Sequence, residues 1–226
     1  GGDGTMEDQS AFCKLQQVLT ENAFTKNGSL FAGWNTEADG SGTHYVDMAS
    51  VRNLAASEGE ITLYAQWFGG NLAELKGDYR AHDGDTLTDS LAGYYKISIA
   101  DGATVTLDSV IIEGVNNDAY KWAGISCEGN CTIVLMGANR VKGFYQSYPG
   151  IHVPINDTLT IKGTGSLDAS GIAGAGIGGG LEIDCGNIVI ESGIITASSR
   201  YTSAGIGSGQ SASCQDITIR GGIGFF

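Results

Sequence analysis

The stretch "GAGIGGG", residues 174–180, decides how this chain is read. Its glycines at 174, 176 and 179 have the G-x-G-x-x-G spacing that can open a dinucleotide-binding helix. Such a loop occurs once, between a strand and a helix, with an acidic residue about 20 positions on. Here it returns as "SAGIGSG" (203–209), and the first copy leads to the strand-like "NIVI" (187–190). The Gly-Ile pair at its centre also recurs, at 124, 150, 176 and 205, in steps of 26, 26 and 29 residues. The glycines are therefore expected to serve corners that need positive φ or close backbone approach, not a phosphate.

A second series advances with the first. Alternating apolar pairs fall at Val105/Leu107, Ile133/Leu135, Leu159/Ile161, Ile188/Ile190 and Ile217/Ile219, in steps of 28, 26, 29 and 29. Period-2 alternation means strands, and helical periodicity is absent from this region. A strand-only unit of this length is one coil of a solenoid, in which coils stack about 4.8 Å apart and inward side chains form apolar ladders. The expected fold is mainly β: a right-handed parallel β-helix of about five coils over residues 78–226. Thr106, Val134, Thr160, Val189 and Thr218 lie between the ladder positions and should form a stripe on the outside.

The cysteines keep the same period. Cys185 and Cys214 are 29 apart, one coil step, which stacks them within disulfide reach. Cys127 and Cys131 flank the turn "EGN" with the parity of Ile125 and Ile133, so both can point inward at one corner. Two bridges are expected, against the alternative of buried free thiols, and would place the chain in an oxidising compartment. Cys13 is left over.

The chain has 226 residues, 36 glycines, 2 prolines and a formal charge of −13 with pI near 4.4. At 42% hydrophobic and 16% charged it is too apolar for disorder. The acidic balance argues against nucleic acid and against anionic membrane surfaces, which are held by Lys and Arg. No run approaches the roughly 18 apolar residues of a membrane span. The abrupt start at "GGDGTM" and end at "GGIGFF" read as a piece of a longer chain.

Residues 1–67 have a separate character. "SAFCKLQQVL" (10–19) suits a short helix, "SLFAGWNT" (29–36) and "ITLYAQW" (61–67) suit strands, and "EADGSGTHY" (37–45) carries turn signals. Trp34, Tyr64 and Trp67 supply bulk for a small core. "GGDGTM" (1–6), "NAFTKNGSLFAGWNTEADGSGTHY" (22–45) and "ITLYAQW" together resemble the Listeria-Bacteroides repeat, also called the internalin B-repeat. The resemblance implies a small β-grasp-like module on an exported bacterial cell-surface protein, with a first strand ahead of residue 1 and no catalytic residue. Residues 68–77 would link it to, or cap, the solenoid. "YYKISIADGATVTLDSVIIEG" (94–114), "LTIKGTGSLDASG" (159–171) and "SAGIGSG" resemble β-helix domains of bacterial surface proteins described as carbohydrate-binding. That resemblance implies a polysaccharide or surface glycan as partner.

The residues allow a binding surface more readily than a catalytic one. Before the Gly-Ile corners stand "NNDAYKW" (116–122), "KGFYQSYP" (142–149) and "SSRYTS" (198–203). Trp122 and Tyr148 share the position two before the corner glycine, and Tyr120 and Tyr201 share the position four before it. Stacked coils would set these aromatics, with Tyr145 and the polar Asp118, Asn117, Lys121, Gln146 and Arg200, in one stripe suited to sugar rings. The alternative is side packing of the solenoid. Polysaccharide lyases on this fold need converging carboxylates and a basic residue. Here Asp108, Glu113, Asp118, Asp168, Glu182, Asp184, Glu191 and Asp216 are scattered, as are Arg140, Arg200 and Arg220 and the histidines at 44, 82 and 152. The expectation is a non-catalytic surface protein binding glycans, with a structural stalk of an adhesin and a lyase-like enzyme as alternatives. No cofactor is called for. "HDGDTLTD" (82–89) reads as a solvated turn, with Ca2+ as the alternative ligand of Asp83, Asp85 and Asp89.

Overall fold

The computed structural model describes residues 2–10, 14–54, 60–221 and 223–225, so Cys13 and any role for it lie outside the described residues. The chain divides into two compact units, Gly1–Gly70 with Glu74–Arg80, and Asn71–Ala73 with Ala81–Phe226.

The first unit is a small antiparallel β module. Leu30–Asn35 lies between His44–Tyr45 and Tyr64–Phe68, and Gln17–Val18 pairs with Ser50–Val51. Its core is Leu19, Phe31, Trp34 and Val51, with Phe31 edge-on to both Trp34 (4.9 Å) and Trp67 (5.5 Å). Two expectations are corrected here. The described part of 10–19 is not helical: Gln17 and Val18 find strand partners, and the Leu19 amide donates to the Ala49 carbonyl (2.9 Å). Long-range pairing overrides a weak local helix preference. Tyr64 is 41% exposed and no core residue, because alternation along its strand turns Ala65 and Trp67 toward the core instead.

The second unit is a parallel β-solenoid. Along one face run Tyr79–Ala81, Ile97–Ile99, Ile125–Cys127, Ile151–His152, Ile177–Gly178 and Ile206–Gly207, with the boundary between the units falling on the first of these strands. Along the second run Thr86–Ser90, Thr104–Ile112, Cys131–Met136, Thr158–Gly163, Asn187–Ile190 and Ile217–Ile219. The end of Thr104–Ile112 bends into a third face, continued by Ala138–Lys142, Ser166–Gly171, Ile194–Ser199 and Ile223–Phe225. The Gly-Ile series holds: Ile97, Ile125, Ile151, Ile177 and Ile206 are successive partners. Gly176 shows why this corner excludes other residues. A Cβ there would lie 2.6 Å from the Ala169 oxygen and 2.7 Å from the Gly205 oxygen, so adjacent coils meet backbone to backbone. Gly178, at φ +131°, supplies a conformation that side chains disfavour.

The second ladder differs from its expected register. Val105 and Leu107 pair with Ile133 and Leu135, but Leu159 then pairs with Cys131 and Ile161 with Ile133, a step of 28 rather than 26. The turn between first and second faces runs 153–157 in this coil and 128–130 in the one before, two residues longer. The outward stripe shifts accordingly. Its members are Thr104, Thr132, Thr160, Val189 and Thr218, while Val134 sits between Thr106 and Lys162. Ile217 and Ile219 keep register with Ile188 and Ile190 but are 43% and 51% exposed, unlike the fully buried rungs before them.

Polar side chains tie the coils at the turns. Asp83 accepts from the Thr104 amide (2.8 Å), Asp101 from Asn130 (2.9 Å), Asn130 from Thr158 (3.0 Å), Asp184 from Ser213 (2.7 Å) and Asn187 from Asp216 (3.2 Å). Each satisfies a backbone donor one coil on that the shortened strands leave open. Cys127 is bridged to Cys131 and Cys185 to Cys214, with Cα separations of 6.3 and 4.5 Å. The second bridge joins consecutive coils.

Candidate functional site

The corner before the first face carries the aromatic residues. In the loop between Ile112 and Ile125, Asn117 Oδ1 accepts from the Ala119 amide (2.9 Å), and its carbonyl accepts from Tyr120 (3.0 Å). This tight Asn-led turn leaves Asp118 exposed and Tyr120 and Trp122 half-buried. The next coil docks on it through two backbone bonds, Asn117 N–H to Phe144 O and Phe144 N–H to Trp122 O, both 3.1 Å.

The rings that meet there are Tyr94, Tyr120, Trp122 and Phe144. Tyr94 lies 4.8 Å from Tyr120 and 6.4 Å from Phe144, Tyr120 is 5.3 Å from Trp122, and Trp122 is 5.8 Å from Phe144. Phe144 is fully buried and Tyr94 is 49% exposed, so the cluster is rooted in the solenoid and open at its outer edge. Lys96 Nζ sits 5.3 Å from the centre of the Trp122 ring, and Lys121 Nζ 6.0 Å from that of Tyr145. The Trp122 indole N–H is buried without a hydrogen-bond partner.

The expected stripe is thus brought together in part. Tyr120 and Trp122 meet, and Tyr145 lies beside Lys121. Tyr148 does not stack on Trp122, because the corner leading to Ile151 (143–150) is shorter than the one leading to Ile125 (113–124) and brings Phe144 to that place. Tyr148 instead turns with its amide on the Tyr145 carbonyl (2.9 Å), its backbone against Gly174. Tyr201 is 61% exposed, its amide on Ile172 O (3.0 Å), and makes no ring contact among the described residues. Tyr94 and Phe144 escaped sequence reasoning. Tyr94 stands three before Ile97 as Trp122 does before Ile125, but its corner reads Lys-Ile rather than Gly-Ile and falls outside the series.

Several charged groups elsewhere are engaged in structure. Arg140 is held between Glu113 and Asp168 of neighbouring coils, each at 3.3 Å, and the hydrogen bond to Glu113 raises its already high pKa. Arg220 pairs with Glu191 at 3.3 Å. In "HDGDTLTD", Asp83 accepts from Thr104, Asp85 from the His82 amide (2.7 Å) and Asp89 from the Asn71 amide group (3.3 Å). No group of three or more His, Cys, Asp or Glu side chains placed to hold a metal occurs among the described residues. A cavity of about 250 Å³ in the first unit is lined by its own core residues, including Leu19, Phe24, Trp34 and Val51. No helix among the described residues is long and apolar enough to cross a membrane.

Residues 1–66 match the family model of the Listeria-Bacteroides repeat domain. A protein of Evansella cellulosilytica titled "Putative membrane protein" is 37% identical over 76 residues, 33% of this chain and 11% of that protein, so the chain spans a small part of its relative's length. No solved structure matches the chain.

Proposed function

We propose that this chain is a non-catalytic part of a bacterial cell-surface protein whose solenoid holds glycans at the corner of Tyr94, Tyr120, Trp122 and Tyr145. The repeat match and the β-solenoid fit a cell-surface protein, and the two disulfides fit an extracellular location. The glycan reading is carried by one observation: rings from adjacent coils gather at an open corner, Tyr94 on Tyr120 and Tyr120 on Trp122. Sugar C–H faces pack on such rings while hydroxyls bond to flanking groups, here Asn117, Asp118, Lys121 and Gln146.

A stalk reading has its own support in Phe144, which roots the cluster as side packing would. Affinity electrophoresis through gels carrying a panel of polysaccharides separates the two. The glycan reading expects at least one polymer to retard the wild type, and the double variant Tyr120→Ala/Trp122→Ala to bind it about tenfold more weakly, a change of about 1.4 kcal/mol. Retardation by no polymer, or equal retardation of the folded variant, would leave the stalk.

A further inference from the structure

We infer that the last coil of the solenoid carries a homotypic docking edge, on which a second copy of this chain seats by antiparallel strand pairing. Among the described residues, Ile217–Ile219 pairs only with Asn187–Ile190 of the coil before it. The Arg220 amide donates to the Ile190 carbonyl (2.8 Å), and the Asp216 carbonyl accepts from the Ile188 amide (2.9 Å). Backbone groups alternate in direction along a strand, so those of Ile217 and Ile219 point to the open edge. Their side chains are 43% and 51% exposed, although they continue the interior ladder of Ile188 and Ile190. An edge that offers both unpaired backbone groups and apolar side chains is a template for another strand.

The segment "DITIR", residues 216–220, is complementary to itself. Laid antiparallel on a second copy about Thr218, it sets Ile217 of each chain opposite Ile219 of the other. Both residues point their backbone groups at the edge, so each such pair exchanges its N–H···O bonds, and the isoleucine side chains close the interior. The same register sets Asp216 of each chain opposite Arg220 of the other on the outer face, where opposite charges across a ladder attract. Arg140 shows the arrangement within one chain: it is held between Glu113 and Asp168 of the coils on either side, at 3.3 Å each. Arg220 has Glu191 of the coil before it at 3.3 Å, and the second copy supplies the carboxylate on its other side. Other registers lose these matches. Centring on Ile217 sets Ile219 against Gln215, centring on Ile219 sets Ile217 against Gly221, and a one-residue slip turns inward side chains against outward ones. The contact is isologous, the same patch on both copies, and so closes as a dimer.

The test is the oligomeric state of the full chain by sedimentation equilibrium at physiological salt, where repulsion between two chains of −13 fades beyond about 8 Å. Wild type is expected to sediment as a dimer. Arg220→Asp and Asp216→Arg, both at exposed positions, each set like charges opposite one another and should weaken dimerisation at least about tenfold. Mixed in equal amounts they should associate as tightly as wild type, because each variant then meets its opposite charge. A second readout does not depend on those charges. In a Cys13→Ser background, Thr218→Cys falls on the two-fold axis as a non-hydrogen-bonded pair, whose Cα atoms lie about 4.5 Å apart, within disulfide range. It should form a covalent dimer under mild oxidation, and Thr132→Cys, on the same face of an interior coil, should not. A monomeric wild type, single variants that dimerise as tightly as wild type, or a mixture that stays monomeric overturns the proposal, as does equal cross-linking at Thr218 and Thr132.

Discussion

His152 occupies an outward position on the first face, between Ser126 and Gly178 of the flanking coils, and its Nε2 is buried without a partner. Burial disfavours the charged ring and lowers its pKa from the ordinary 6.5. The unfolded chain binds a proton near pH 6.5 while the folded one does not. The contribution of His152 to stability is therefore full above that pH and is lost as the pH falls from there through the lower folded value. Thermal unfolding of wild type is expected to weaken from about pH 7 to 5 more steeply than that of His152→Gln; parallel profiles would count against a buried neutral ring. Asn139 is a second polar residue the solenoid encloses, at 3% exposure. It accepts from the Val110 amide (2.9 Å) and donates to the Met136 and Ser166 carbonyls (2.9 and 3.0 Å), joining three coils. Neither residue was legible as a structural group in the sequence, because a lone His or Asn shows its partners only after the coils are stacked.

The strands show what periodicity can and cannot see. Alternation placed Val105, Leu107, Ile133, Leu135, Leu159, Ile161, Ile188 and Ile190 in the interior, and all are buried. It missed the partner of Leu159 because a slip of two residues keeps every inward side chain inward; a slip of one would have turned them out. Turn length, not strand pattern, fixes that register, and Cys131 takes the rung assigned to Ile133. Cysteines placed on the outer surface report it. Thr132→Cys/Thr160→Cys, neighbours in the observed register, should form a disulfide under mild oxidation faster than Val134→Cys/Thr160→Cys; the reverse order would restore the 26-residue step. The third face was not read at all. Its inward positions, Asn139, Val141, Leu167, Ala169, Ile195 and Ala197, mix small and polar residues with aliphatic ones and lack the repeated pairs that marked the second face.

In the whole molecule, a repeat module and a stacked parallel solenoid share one chain, and both were visible in the sequence, the first through its motifs and the second through its period. The aromatic corner was half visible. Tyr120, Trp122 and Tyr145 could be named, but corner lengths differ from coil to coil, so Tyr148 and Tyr201 lie away from the cluster that Tyr94 and Phe144 complete. The same unevenness makes the corner local. It spans the coils entered at Ile97, Ile125 and Ile151, and the Arg140 ion pairs and the outer threonine stripe belong to other faces. Hydrogen exchange of the full chain, with and without the tightest-binding polymer of the polysaccharide panel, tests this placement most directly. A glycan seated at the corner should add protection in the loops 113–124 and 143–150 and change little on the second and third faces. Protection confined to those faces, or to the repeat module, would contradict it.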